Sequence, residues 1–451
     1  MPFVVRAPEI KYLNTYYERA GSQIIVMYGA KGIGKQTILD GFLAGKPACF
    51  YKARPASERE QLYQWGRELG MNGAKCKKHP EYDDIFAAVT ENSKQKKVFI
   101  IDEFHLIVKN SPSFISKLVA LVHGQWKKTP IMVILASTQA GWVENSMVGK
   151  IGAQAYEISG FLKVKELSYC DMLHQYPEMK MAKAVETYAI LGGNPGLWQY
   201  FDHSLSPEKN ICQNILAPQA FLHHHAERII ADELRETGIY NTILAAIAEG
   251  HNKLNDLYLH TGFSRAKISV YLKSLIELGL AEKISGKDDG GKGYYRIANH
   301  FVHFHFTYLY PQQSGLKRLS PEQFYKAHIA PTFKSYVANY FRRACVSKME
   351  QWNQEGRLPL RFEQCSEWAG EAGTIDIIAV GSGGKTLIAL CNWEKPLMTY
   401  ADYEWLLFCA GKAGLSVDYI YLISAGHFDE KLNLEAKVKQ NIYLIGADEL
   451  Q

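Results

Sequence analysis

In the first third of the chain, short apolar runs recur between polar or glycine-rich stretches: IIVMY at 24–28, VFII at 98–101 and IMVIL at 131–135. A shorter run, ACFY, stands at 48–51. Unbroken runs of this length predict strands buried on both faces, as in a parallel sheet. Segments of helical period separate them. Ile10, Leu13, Tyr16 and Tyr17 share one face of a helix over 10–19, and the charged stretch 57–69 reads as a solvated helix. From 161 to about 225 apolar and polar residues alternate at helical period. Compact helices follow at 239–248, 254–260 and 264–278, then strands at 281–285 and 293–297 around a glycine-rich loop, 286–292. After Ser320-Pro321 and Ala330-Pro331, a helix over 333–345 precedes a hairpin of strands 374–380 and 386–391. The fold class is α/β.

Composition narrows the class. A chain of 451 residues exceeds one ordinary core and suggests about three domains at about 150 residues each. Hydrophobic content of 47% with 22% charged residues is that of a water-soluble globular protein. A net charge of +5 gives no global argument for nucleic acid. The eight cysteines contain no C-x-x-C pair, which reads as reduced thiols and not as a disulfide frame or zinc site. No run approaches the ~18 apolar residues of a membrane span, and the N-terminus carries charges where a signal peptide is apolar. A cytoplasmic protein without membrane contact is expected.

Chemistry enters at 29–37. Gly29, Ala30, Lys31, Gly32, Ile33, Gly34 and Lys35 fit G-x-x-x-x-G-K, the phosphate-cradling loop between a strand and a helix. Backbone N–H groups of such a loop converge on phosphates, and the lysine adds a mobile positive charge. Two glycines and a lysine at fixed offsets arise by chance roughly 0.2 times in a chain of this length, so context must carry the assignment. The final position departs from the pattern. It is Gln36 where a magnesium-binding hydroxyl is usual, and Thr37 projects about 100° further round the helix.

The context comes from 97–103, where an apolar strand ends in Asp102-Glu103. Ligand sites of parallel sheets lie at the carboxyl ends of strands, so Asp102 is placed to hold magnesium and Glu103 to orient and deprotonate a water. The third apolar run ends in Ser137-Thr138-Gln139. A hydroxyl or amide at this strand end, with Ser137 as the candidate ligand, either hydrogen-bonds the γ-phosphate or the water or caps the next helix. Arg6 and Glu9, taken alone, read as ordinary surface residues. His223-His224-His225 cannot converge on one ion if helical, because adjacent residues point about 100° apart.

Together these residues resemble the archaeal-type P-loop ATPases of the STAND and AAA-like group that carry a C-terminal PD-(D/E)xK nuclease-like domain. The resemblance implies a P-loop NTPase parallel sheet at 1–160, a helical lid at 161–225, a winged helix-turn-helix at 226–312 and a degenerate restriction-endonuclease-like domain at 313–451. It implies ATP and Mg2+ as cofactors, with Lys35 and Glu103 catalytic and Asp102 and Gln36 on the magnesium side. Phe3 to Glu9 resembles the family's F-x-x-R-x-x-E element, which implies Arg6 and Glu9 near the adenine. Leu191-Gly192-Gly193-Asn194-Pro195 resembles its G-G-x-P lid motif, which implies Pro195 over the nucleotide. Two departures stand out: Gln36 for threonine, and only Lys150 where the family tends to place an arginine after the fourth strand.

The three-helix segment exposes Arg265, Lys267 and Lys273, with Lys287 and Lys292 on the wing, a set suited to DNA phosphates. Asp288 and Asp289 oppose that, so a protein contact or self-association is the competing reading. In the last domain Asp376 stands where the first nuclease acid belongs. Leu390 and Asn392 replace the acid and lysine of the second element, and adjacent Glu394 and Lys395 cannot share a strand face. The expected function is an ATP-binding regulatory ATPase in which ATP and ADP control domain rearrangement, with slow hydrolysis. Its alternatives are a non-hydrolysing ATP switch or scaffold and an ATP-regulated DNA-binding nuclease.

Overall fold

The computed structural model describes residues 6–90, 96–124, 126, 130–284, 293–370 and 372–451. The chain divides into two compact units, Phe3–Glu166 and Leu167–Gln451.

The first unit is built on five strands, β1 (Gln23–Tyr28), β2 (Ala48–Lys52), β3 (Lys97–Asp102), β4 (Ile131–Ser137) and β5 (Gly160–Lys163), in the order β2-β3-β4-β1-β5. All neighbours are parallel. The unbroken apolar runs follow from having helices on both faces. Ile24, Val26, Phe99, Ile101, Val133 and Leu135 point into one core with Trp65, Phe86 and Phe114. The alternate residues Ile25, Met27, Val98, Ile100, Met132 and Ile134 point into the other with Leu13, Ile38 and Phe42. The helices that supply these partners are α1 (Ala7–Glu18), α2 (Lys35–Leu43), α3 (Glu58–Met71), α4 (Tyr82–Thr90), α5 (His105–Asn110) and α6 (Ser113–His123).

The strand β5 departs from the helical period expected from 161 onward. Its four residues alternate buried and exposed at the sheet edge, and Tyr12 donates its hydroxyl to the Phe161 carbonyl at 3.2 Å. Edge pairing with β1 overrides the local pattern, and the first unit runs on to Glu166, past residue 160.

The second unit begins with helices that include α7 (Met181–Leu191) and α8 (Pro195–Trp198). Then come α9 (Thr237–Ala248), α10 (Leu254–Thr261), α11 (Arg265–Glu277) and an antiparallel pair, β6 (Ala281–Ile284) and β7 (Tyr294–Ile297). Lys287, Asp288, Asp289 and Lys292, expected on the intervening wing, lie outside the described residues, as does Phe3. A helix of 26 residues, α12 (Ala330–Glu355), is longer than expected because its aromatic face is buried: Tyr336 donates to the Ala189 and His300 carbonyls at 3.3 and 3.2 Å.

The C-terminal sheet is mixed. Strands β8 (Phe362–Gly370), β9 (Gly373–Gly381) and β10 (Thr386–Asn392) form an antiparallel meander, and β12 (Tyr419–Ser424) and β14 (Ile442–Ile445) extend it in parallel. A small parallel pair, β11 (Leu397–Met398) with β13 (His427–Phe428), stands beside it in sequence. The helix α13 (Tyr400–Lys412) supplies Tyr403, Leu406 and Cys409 to its core. No helix among the described residues is long and apolar enough to cross a membrane.

Candidate phosphate-binding site

The candidate site forms where β1 ends. Gly29 must be glycine, because a Cβ there would stand 2.4 Å from the Val164 carbonyl oxygen. Its N–H donates to the Ser137 carbonyl at 3.2 Å, which fixes the loop to β4. Gly34, at φ +98°, starts α2 without a side-chain cap. The first-turn N–H groups of such a helix are the donors that an anion satisfies, and the helix dipole favours negative charge there. The loop therefore fits a phosphate.

Lys35 folds back over the loop and donates to the carbonyls of Gly29 at 2.6 Å and Ala30 at 3.0 Å. Burial lowers its pKa, opposed by the charges of Glu103 and Asp102, which place both acids within electrostatic reach. Of the other loop residues, Ile33 is buried, Lys31 and Gly32 are exposed, and Thr37 is half-buried. Gln36 is exposed and turns away along the helix, donating its amide to Asp40 at 2.7 Å.

Asp102 ends β3, and its carboxylate accepts the Glu103 N–H at 3.0 Å. Burial raises its pKa, with Glu103 adding to the rise and Lys52 and Lys35 opposing it. Glu103 sits at φ +53°, the sole non-glycine residue with positive φ among those described. A left-handed non-glycine costs on the order of 1 kcal/mol and persists where surrounding bonds enforce it. The enforcing bonds are visible: Thr138 donates both its N–H, at 3.1 Å, and its hydroxyl, at 2.8 Å, to one Glu103 oxygen.

Ser137 is fully buried, and its hydroxyl is shared between His105 Nδ1 at 3.0 Å and the Gln139 N–H at 3.1 Å. The strand-end group that touches Glu103 is therefore Thr138. His105 Nδ1 also lies 3.4 Å from the Glu103 carboxylate, and burial lowers the pKa of this ring. The sequence pattern offered Thr138 only as one of several polar groups at this strand end, and it did not single out His105, which stands two residues after Glu103.

Arg6 is not a surface residue. Only 4% exposed, its Nη2 donates to the carbonyls of Ile33 at 2.7 Å and Lys165 at 3.0 Å, and its Nη1 pairs with Glu9 at 2.9 Å. It ties α1, the phosphate loop and the end of β5 together. Pro195 belongs to the second unit, where it opens α8 behind an Asn194 cap whose side chain accepts the Gly196 N–H at 3.0 Å. Lys150 is exposed.

The nuclease-like positions are engaged elsewhere. Asp376 on β9 accepts the Cys391 N–H at 2.7 Å, and burial raises its pKa against that bond and Arg342. Asn392 bonds the Lys395 carbonyl and Ser424 at 2.8 and 2.9 Å, Glu394 accepts from Ser335, and Lys395 pairs with Asp402 at 2.6 Å. The three consecutive histidines diverge: His223 faces the Ile215 carbonyl, His224 faces Glu227 and His225 packs on Phe301.

Residues 3–201 match the model of a family described as an ATPase domain predominantly from Archaea. The N-terminal unit has the fold of a P-loop ATPase domain. Residues 305–404 match a family described as archaeal and bacterial proteins of unknown function. A curated relative, the uncharacterized protein MJECL04 of Methanocaldococcus jannaschii, is 24% identical over 414 residues, covering 87% of this chain and 88% of its own. Among solved structures, the Walker-type ATPase PABY2304 of Pyrococcus abyssi is 15% identical, with a TM-score of 0.48 over 67% of this chain and 95% of that one. The ORC2 protein of Aeropyrum pernix, solved as ADPNP and ADP complexes, is 15% identical with a TM-score of 0.44 over 69% and 95%.

Proposed function

We propose that this protein is an ATP-binding regulatory ATPase, in which nucleotide state governs the arrangement of its domains and hydrolysis is slow. The observation that carries the reading is the uncapped start of α2 with Lys35 folded over it and Asp102 and Glu103 at the end of β3, two strands from β1. ATP with Mg2+ would supply the phosphoryl group and the charge that polarises it. Lys35 would exchange its two carbonyl partners for phosphate oxygens. Asp102 is the residue to hold the magnesium shell, and Glu103, released from Thr138, the one to align and deprotonate water. Gln36 presents an amide already bonded to Asp40 in place of a hydroxyl, so the metal would retain an extra water.

That same amide favours a second reading, in which ATP occupancy alone sets the state and no turnover occurs. Nucleotide affinity and single-turnover hydrolysis, measured on wild type, Lys35→Ala and Gln36→Thr, separate the two. Tight binding without turnover, with turnover gained in Gln36→Thr, selects the switch. Binding that survives Lys35→Ala unchanged rejects both.

The helices α9, α10 and α11 with the β6–β7 pair serve, in this proposal, as a winged helix. Its exposed Arg265 and Lys267 lie over Tyr258 and Phe263 at 4.1 and 4.6 Å, and Lys273 stands 3.9 Å from Glu277. These cations are partly committed locally, so any DNA contact is with backbone phosphates and of modest affinity. A slope of log affinity against log salt near zero would reject it. The C-terminal domain acts as a scaffold, since Asp376 has no acid-and-lysine partner free on β10.

A further inference from the structure

The turn between α9 and α10 gathers three side chains of metal-ligating type. Glu249, His251 and His260 each offer one ligand atom, and these atoms lie within 4.8 Å of one another. The backbone that presents them is well fixed. Helix α9 ends in a Schellman motif, with Gly250 at φ +95° donating to the Ile247 carbonyl and His251 donating to the Ala246 carbonyl, both at 3.0 Å. One residue on, the Asn252 carbonyl accepts the Tyr295 N–H of β7 at 2.7 Å, which anchors the turn to the hairpin. His260 comes from the last turn of α10.

The two imidazoles stack with centroids 4.0 Å apart at 29°, and His260 Nε2 stands 3.6 Å from a Glu249 oxygen. Ligand atoms around a tetrahedral zinc, at bond lengths near 2.1 Å, are about 3.4 Å apart, so small side-chain rotations that splay the rings would close the site. Glu249 and His260 both stand at C-terminal ends of helices, where the helix dipole favours a cation. Two imidazoles and one carboxylate select late first-row divalent ions over magnesium, which prefers oxygen alone.

We propose that Glu249, His251 and His260 form a surface site for one divalent ion of the zinc class, which clamps α9 to α10. Two ligands come from the turn and one from the facing helix, and the fourth position is open to solvent or a partner side chain. The clamp stiffens the helical module independently of nucleotide.

The test uses the full chain stripped with chelator and titrated with Zn2+ alone, read by calorimetry and thermal unfolding, with Co2+ absorption reporting tetrahedral coordination. One equivalent binds at micromolar concentration and raises Tm. His251→Gln and His260→Gln each weaken binding about a hundredfold or more, while His224→Gln leaves it unchanged. No uptake at micromolar Zn2+, or uptake indifferent to both substitutions, overturns the site. So does displacement by excess Mg2+, which would place the ion at the acids beside the phosphate loop.

Discussion

Replacing Arg6 with alanine removes one buried guanidinium that holds three partners at once. Its Nη2 bridges the Ile33 and Lys165 carbonyls, and its Nη1 meets Glu9, itself 17% exposed on its side chain. Hydrogen bonds to a charged donor contribute about 1.5–3 kcal/mol each. Taking the lower figure for the two carbonyls, because water can reach the loop once the side chain is gone, the loss is about 3 kcal/mol. For a unit of this size that corresponds to about 6–12 °C in Tm. The damage also has a direction. Ile33 is the residue before Gly34, so the carbonyl that swings free belongs to the phosphate loop. Urea unfolding followed by intrinsic fluorescence gives the stability change, and titration with an ATP analogue gives the change in affinity. Arg6→Lys keeps the charge but not the fork, and recovers less than half of the loss. A stability change below about 0.5 kcal/mol in Arg6→Ala, the size of an ordinary surface substitution, would refute the strut argument.

Three further outcomes follow from the geometry. Gly29→Ala drives a Cβ against the Val164 carbonyl at 2.4 Å, so β1 and the segment after β5 must part; the variant loses about 1–3 kcal/mol and its nucleotide affinity, both measurable by thermal shift with and without ATP. Thr138→Val deletes one of the two Thr138 bonds to Glu103, which changes single-turnover rate but not ATP affinity; an affinity change of tenfold would sink the assignment of Glu103 to water. Stability should fall with acid through three histidines, His300 and His305 buried and His303 half-buried. Burial pushes His300 well below its ordinary value and His303 and His305 down to about 4. His300 is locked neutral by donating from Nδ1 to the Tyr188 carbonyl at 2.7 Å and accepting at Nε2 from Arg343 at 3.0 Å. The unfolded chain takes up protons near pH 6.5 while the folded chain does not, so their stabilisation is complete above that pH and declines below it, by up to about 1.4 kcal/mol per unit for each ring. Denaturant midpoints that stay level between pH 7 and pH 5 would contradict this, and His303→Gln should make the slope shallower.

The unbroken apolar runs determined the parallel sheet by themselves, since a strand buried on both faces cannot carry polar residues in alternation. The spacing of Gly29, Gly34 and Lys35 likewise marked the turn between β1 and α2, because that turn depends on residues close in sequence, whereas the approach of Asp102 and Glu103 to Lys35 came only with the sheet. The three helices and hairpin of the second unit were legible for the same local reason. What the chain alone could not express was any contact made across it. Arg6 looked like a surface arginine until α1 packed it against Ile33 and Lys165, and Ser137 looked available until His105 enclosed it. The strand β5 carried a helical pattern and became an edge strand because β1 offered it unpaired backbone. His251 and His260, nine residues apart with no metal-binding spacing, became neighbours only when α10 folded back on the turn that precedes it. Periodicity records how a residue relates to its own segment, whereas burial, partner choice and convergence of ligands depend on which segments the tertiary fold brings together.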